Sequence, residues 1–390
     1  MQSIDGGKLR EFTTQGDDTL YRERLSWLSD ADRTLCYWMV DGIAGADRYE
    51  ARISVTAEDP ASCTVRWQAD IEATPDRADP IAQGTEHIFH QGIAALPNVP
   101  PPPAHDSAQD PAAPLETLTL KTDPALTLTK TALPTEGQTL CLFLHGIGGG
   151  RQNWAAELRA LSGVLPAAAL DLRGYGDSRL GHNPSTVESY CNDILAVQKA
   201  TGARQIILCG LSYGAWIATS FALRHPDRLA GLILAGGCTG MSEAPEHVRR
   251  SFLETRQAPL HAGLTPADLA TDVLKVIAGP TATDDAKAAL RASMAAIPTA
   301  TYLDALHCFT HPTERFDFAK LTVPALLMTG AHDKLAPPDE IRSVAQRMFA
   351  AGNSPFVRFE VIEDAGHVCN LEQPAAFNAI MRAFVTGLTP

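Results

Sequence analysis

The chain has no run of basic residues interleaved with aromatics, and its 32 lysines and arginines are outnumbered by 45 aspartates and glutamates, for a net charge of −13. That balance argues against a nucleic-acid partner, because phosphate backbones are held by clustered positive charge. Long hydrophobic stretches are missing too. Every apolar run is much shorter than the roughly 20 residues that span a bilayer. The opening MQSIDGGKLREF has neither the basic nor the apolar segment of a secretion signal. A cytoplasmic protein with no membrane partner is the expectation. Eight cysteines are scattered singly, with no CxxC pair and no Cys/His cluster at metal spacing. Cys141, Cys209 and Cys369 lie in apolar runs and read as reduced core residues.

What is present is enough material for a large core plus a smaller unit: 390 residues, 45% of them hydrophobic. The clearest punctuation is PNVPPPPAHDSAQDPAAP, residues 97–114, a polyproline stretch read as a stiff exposed linker. Upstream, β-rich runs at 8–14, 19–28, 33–40, 48–56 and 63–71 are separated by turn residues, with SDADR as a hairpin connection. Ile81, Ile88, Ile93 and Leu96 then fall near helical spacing, so residues 1–96 are expected to form an antiparallel sheet closed by one helix.

Downstream the rhythm changes. After a lead-in hairpin at 118–133, short apolar strands (140–146, 167–170, 205–209, 229–234, 325–328 and 357–361) alternate with helical segments (153–162, 187–200, 213–224, 341–349 and 375–385). Such alternation predicts an α/β fold over 115–390, a doubly wound, mostly parallel sheet with right-handed crossovers. Residues 239–318 break the pattern with alanine-rich helical sequence and are expected to form an inserted cap.

Within LCGLSYGAW, Gly210-Leu-Ser212-Tyr-Gly214 matches Gly-x-Ser-x-Gly. Alone the match is weak, arising by chance in roughly one chain in ten of this length. Its context is a strand, QIILC, running into a helix, YGAWIATSFALRH. That is the setting of a nucleophile elbow, where glycines permit close backbone approach. A serine hydroxyl needs a base and an acid that orients the base. Asp333 follows the strand in VPALLMTGAHDKLAPP, and His367 follows the strand in FEVIEDAGHVCNLEQP. Both are expected just beyond strand carboxyl ends, where open α/β sheets place their sites. An oxyanion also needs two donors. The amides of Tyr213 and of Ile147, in the glycine-rich HGIGGG loop, are the candidates. That loop lacks the frame of a Walker or dinucleotide motif.

Residues 115–386 resemble the α/β-hydrolase fold superfamily through LHGIGGGRQNW, LDLRGYGDS, CGLSYGAW, LLMTGAHDKLAPP and AGHVCNLEQPAAFN. The last is most similar to 3-oxoadipate enol-lactonases and their esterase relatives. The resemblance implies a serine hydrolase that cleaves a carboxylic ester or lactone through an acyl-enzyme, with no metal or organic cofactor. Haloalkane dehalogenases and epoxide hydrolases of this fold use a carboxylate where Ser212 stands. Carbon-carbon bond hydrolysis of a ring-cleavage product is the alternative; those enzymes tend to carry an aromatic where Val368 stands. A catalytically silent ligand-binding protein is the third reading. Gly148, Trp154 and Trp216 are candidate pocket residues. Asp171, Asp177 and His145 read as structural, His225 as meeting a helix dipole, and His332 as a turn residue. The cap residues His307, Phe309 and His311 could face substrate.

Residues 8–96 resemble the later part of an SRPBCC (START-like, helix-grip) domain of the polyketide cyclase type, through GGKLREFTT, YRERLSWLSDADRTLCYWMV, YEARISVTAEDPASCTVRWQADI and ADPIAQGTEHIFHQGIAAL. Such domains begin with a strand and two short helices ahead of the matching part. An unpaired sheet edge is therefore expected, and with it a homo-oligomer through the amino-terminal sheet in preference to a ligand-binding grip.

Overall fold

In the computed structural model, the described residues are 2–4, 8–14, 17–59, 62–98 and 114–388. Most of the proline-rich segment expected as a linker, residues 99–113, lies outside them. The chain divides into two units, one of residues 1–106, 355–360 and 386–390 and the other of 107–354 and 361–385.

The first unit is an antiparallel meander of six strands: β1 (Gln2–Ile4), β2 (Leu9–Thr14), β3 (Asp17–Ser29), β4 (Thr34–Asp41), β5 (Ala46–Asp59) and β6 (Ser62–Ala73). At the β3–β4 turn, Arg33 takes a positive φ of 46° and donates its amide to Asp30 O at 3.1 Å. Ser29 Oγ accepts from the Asp32 amide there. The helix α1 (Pro75–Ala95) starts four residues earlier than its apolar spacing indicates, because Pro75 occupies its first turn, where a missing N–H costs nothing. It lays Phe89 on Trp67, with rings stacked 4.4 Å apart, beside a cluster of Tyr37, Tyr49 and Ala51.

The second unit is built on a seven-stranded sheet. In spatial order it runs β7 (Glu116–Leu120), β8 (Leu126–Lys130), β10 (Ala167–Leu170), β9 (Thr139–Leu144), β11 (Gln205–Leu211), β12 (Leu229–Ala235) and β13 (Ala325–Gly330). The β7–β8 hairpin pairs antiparallel with β10, and every later pairing is parallel. Parallel strands covered on both faces need apolar residues throughout, and β9 buries five consecutive residues, Leu140 to Leu144. Register does the functional work. Leu144 lies opposite Gly210, Gly210 opposite Leu234, and Ala235 opposite Met328, so the chain leaves β9, β11, β12 and β13 along one edge. A further strand, β14 (Val357–Ile362), precedes the loop of His367.

Helices α2 (Ala155–Ala160), α3 (Val187–Thr201), α4 (Tyr213–Arg224), α9 (Pro338–Ala350), α10 (Cys369–Glu372) and α11 (Pro374–Thr386) fill the connections. The single helix expected over 153–162 is instead a 3-10 turn, Arg151–Trp154, followed by the short α2. Gly150 and Asn153 exchange hydrogen bonds there and tighten the first turn. Between β12 and β13 stand four helices and no strand: α5 (Glu246–His261), α6 (Pro266–Ile277), α7 (Asp284–Ala295) and α8 (Thr299–Thr310). Thr265 and Asp268 cap α6 reciprocally, and Thr283 caps α7. All eight cysteines are free; seven are buried, and Cys63, on β6, is exposed. No helix among the described residues is long and apolar enough to cross a membrane.

One core group is out of keeping with its surroundings. Glu157 on α2 is fully buried, and neither carboxyl oxygen makes a hydrogen bond, although Asn370 lies beside it. Burial pushes its pKa up from 4.5 to about 8. Between those values the folded state holds a proton that the unfolded state releases, so this group makes stability fall as pH rises through that window. Glu157→Gln keeps the shape and removes the titration. Thermal melts at about pH 5 and about pH 8 should show the variant gaining on the parent at the higher pH; an equal offset at both would count against a neutral Glu157.

Candidate active site

The site begins with two glycines at the β11–α4 turn. A Cβ on Gly210 would lie 2.2 Å from Gly214 O, and one on Gly214 would lie 2.3 Å from Leu144 O. Only glycine lets strand, helix and the neighbouring β9 come this close. Between them Ser212 is held at φ 55°, ψ −113°, a conformation that costs a non-glycine residue about 1–3 kcal/mol. Its amide donates to Ala235 O at 2.8 Å and its carbonyl accepts from the Trp216 amide at 3.0 Å, so the strain is imposed from both sides.

The three residues expected to act together meet. Ser212 Oγ lies 2.8 Å from His367 Nε2, and His367 Nδ1 lies 3.0 and 2.9 Å from the two oxygens of Asp333. Asp333 and His367 are buried. Asp333 also accepts from the amides of Leu335 and Ala336, at 2.8 and 2.9 Å. Burial alone would raise its pKa, but the hydrogen bond and charge of His367, with those amides, outweigh it and hold the carboxyl below the usual range. An ionised Asp333 requires the proton on Nδ1 of His367. Nε2 is thereby left to accept from the serine hydroxyl.

The glycine-rich loop after β9 is set by a comparable argument. The amide of Leu172 donates to His145 Nε2 at 3.1 Å, so His145 carries its proton on Nδ1 and donates it to Gly146 O at 2.8 Å. Gly146 O also accepts from the Gly149 amide at 2.9 Å. In a trans peptide the C=O and the following N–H point oppositely, so anchoring Gly146 O turns the Ile147 N–H the other way. Tyr175 Oη donates to Ile147 O at 3.0 Å and fixes the next peptide. Burial pushes the pKa of His145 down, against the pull of Asp171, and keeps it neutral as this pairing demands.

Ser212, His367 and the glycine-rich loop face one cavity of about 430 Å³, within the usual range for small-molecule sites. Ser212, Tyr213, Ile147, Gly148, Trp154 and His367 contribute from the sheet side. Phe309 contributes from the cap; His307 and His311 stack on each other 4.0 Å apart and do not line it. Trp216 does not reach the cavity either, contrary to expectation. It is fully buried behind Tyr213 and Phe309, with Nε1 donating to Ser242 Oγ at 2.9 Å. Its ring is covered by Tyr213 and Phe309, which stand between it and the opening. Asp171 and Asp177 bind Arg151, and Asp171 accepts two backbone amides as well. His225 packs on Phe221, and His332 is exposed.

Two supports escaped the sequence reading. Glu372 accepts from the amides of Gly279, Gly366 and Val368, and so ties the His367 loop to the end of α6. Asn153 Oδ1 accepts from the Gly150 amide and from Ser293 Oγ on α7, which joins the glycine-rich loop to the cap. Both lie inside quoted motifs, but their links to the cap, Gly279 and Ser293, are 93 and 140 positions away and leave no sequence signal.

Residues 140–374 match the family model described as alpha/beta hydrolase fold, well over half of the chain. The protein belongs to that family. Among curated relatives it is 29% identical over 267 residues to RutD of Caulobacter vibrioides, named as a candidate carbamate hydrolase, a match covering 65% of this chain and 93% of the relative. Among solved structures, a thermophilic esterase from Thermogutta terrifontis superposes with a TM-score of 0.60 at 24% identity, over 71% of this chain and all of that one. The enol-lactonase from Burkholderia xenovorans does so at 0.53 and 24%, over 67% and 97%.

The elbow geometry predicts the effect of its smallest change. Gly210→Ala should destabilise by about 3 kcal/mol or more, read as a shifted urea midpoint, since the clash is with backbone. A loss within about 0.5 kcal/mol would mean that the turn can open to admit a methyl group.

Proposed function

We propose that the protein is a serine hydrolase that cleaves a carboxylic ester or lactone through an acyl-enzyme. The observation that carries this reading is the continuous hydrogen-bonded series Ser212, His367, Asp333 at the wall of a cavity. Ser212 Oγ attacks the carbonyl carbon while His367 Nε2 takes the hydroxyl proton, and the amides of Ile147 and Tyr213 hold the resulting oxyanion. Collapse of the tetrahedral intermediate breaks the bond to the leaving oxygen, which receives the proton from His367. Water then attacks the acyl-enzyme, giving its proton to Nε2, which passes it to Ser212 Oγ as the bond from that oxygen to the acyl carbon breaks and the acid leaves. Asp333 stays ionised throughout and stabilises the imidazolium. A carbamate, the substrate class in the name of the RutD relatives, is an acyl group open to the same steps.

Other proposals rest on less. Eight unpaired cysteines support a cytoplasmic location. An antiparallel sheet with a 21-residue closing helix supports the SRPBCC-like reading of residues 1–96, ahead of a linker at 97–114 and the hydrolase unit at 115–390. Since β6 pairs with β5 alone among the described residues, this sheet keeps an open edge for self-association.

Ser212→Ala should lower kcat on short p-nitrophenyl esters by about 10⁴-fold or more and abolish labelling by a fluorophosphonate probe. Unchanged turnover would remove Ser212 from the mechanism. Asp333→Asn, which lets Nδ1 accept rather than donate, should lower kcat by about 10⁴-fold with the fold intact by circular dichroism.

A further inference from the structure

The cavity holds a half-buried arginine whose N–H groups meet no oxygen acceptor among the described residues. Arg256, on cap helix α5, lines it with its guanidinium 3.5 Å above the ring centre of Phe252. Phe252 in turn packs on Phe309, and Phe309 on Tyr213, the residue after Ser212. Other arginines of this unit that are withdrawn from solvent have oxygen partners: Arg151 has Asp171 and Asp177, Arg173 has Asp193, and Arg249 has Ala244 O. Arg256 makes no ion pair or hydrogen bond among the described residues. Burial pulls its pKa below the usual arginine range, and the neighbouring group that opposes this is the Tyr302 hydroxyl. Stacking on Phe252 offsets part of the cost of withdrawing the charge from water, but the N–H groups are left without an acceptor, and an anionic ligand supplies one.

The cavity's other charges give the ligand a direction. Glu340 and Lys334 line it on the side of Asp333, and Lys334 is exposed. Burial and the charge of Asp333 raise the pKa of Glu340, so that end already resists negative charge. Solvent screens the exposed Lys334, so an anionic substrate whose neutral carbonyl faces Ser212 finds its less screened cation in Arg256, toward the cap and away from Glu340. A single planar guanidinium matches a carboxylate, whose two oxygens it can bind in parallel. A phosphate dianion would need further donors that this wall does not offer.

We propose that Arg256 is a specificity-determining residue that binds a free carboxylate on the acyl part of the substrate, so that the preferred substrates are acid-bearing esters or lactones. The proposal rests on the hydrolase reading above, and two measurements separate them. The first compares mono-p-nitrophenyl glutarate with p-nitrophenyl valerate, which match in length and differ in the terminal carboxylate, after subtraction of spontaneous hydrolysis. The parent should prefer the glutarate ester. In Arg256→Gln the ratio of kcat/KM values, acid over neutral, should fall by about 100-fold, mainly through KM, and Arg256→Lys should recover part of it. A ratio that stays within about twofold of the parent's overturns the proposal.

The second measurement needs no turnover. Glutarate should raise the melting temperature of Ser212→Ala protein and leave Ser212→Ala/Arg256→Gln unmoved, while inorganic phosphate should protect neither. Equal protection of both variants by glutarate, or phosphate acting as well as glutarate, overturns the carboxylate assignment. Hydrolysis surviving in Ser212→Ala would instead sink the mechanism and leave the glutarate result to judge Arg256.

Discussion

Three backbone segments meet at the start of α4 more closely than any side chain but hydrogen would allow. Gly210 faces Gly214 O, and Gly214 faces Leu144 O. Because this contact sits at the carboxyl ends of β9 and β11, it forces the chain into a sharp turn, and Ser212 takes the positive φ that the turn requires. The same approach brings the glycine-rich loop after β9 against the serine. Without it the serine would lie on an ordinary loop, and neither a base nor a donor pair would converge on one point.

Around that turn, each polar group takes its protonation state from its neighbours. Two amides and His367 keep Asp333 ionised, Asp333 keeps the proton on Nδ1 of His367, and Nε2 is left to face Ser212. On the other side, the Leu172 amide settles the tautomer of His145, and His145 settles the direction of the peptide before Ile147. These are paired assignments made in a dry interior, where an unmatched donor or acceptor costs a large part of the stability margin. Arg256 lines the same cavity without an oxygen acceptor, stacked on Phe252.

Much of this was legible in the chain itself. Alternating apolar strands and helices marked the parallel sheet, and the loss of that rhythm after Thr239 marked the cap. Ser212, Asp333 and His367 could be named because each follows a strand at a fixed local signature. Trp216 could not be separated from Trp154, since both are aromatic, apolar and close to a motif; only their angles on the fold send one into the cavity and the other into the packing behind it. The helix expected at 153–162 lost its first turn to the Gly150–Asn153 exchange, a local competition that periodicity does not register. The ties of Glu372 and Asn153 to the cap were invisible because Gly279 and Ser293 lie on other elements.

The sequence by itself determined the alternation of elements, the elbow and the three side chains that meet beside it, since these depend on residue type and on spacing within a few positions. Tertiary structure alone decided which aromatics line the cavity, how the loops of Ile147 and His367 are braced, and that Arg256 faces the interior unpaired. Those depend on helices from the cap meeting loops from the sheet, contacts between residues as far as 140 positions apart, and no local pattern encodes which side chain will find a partner there.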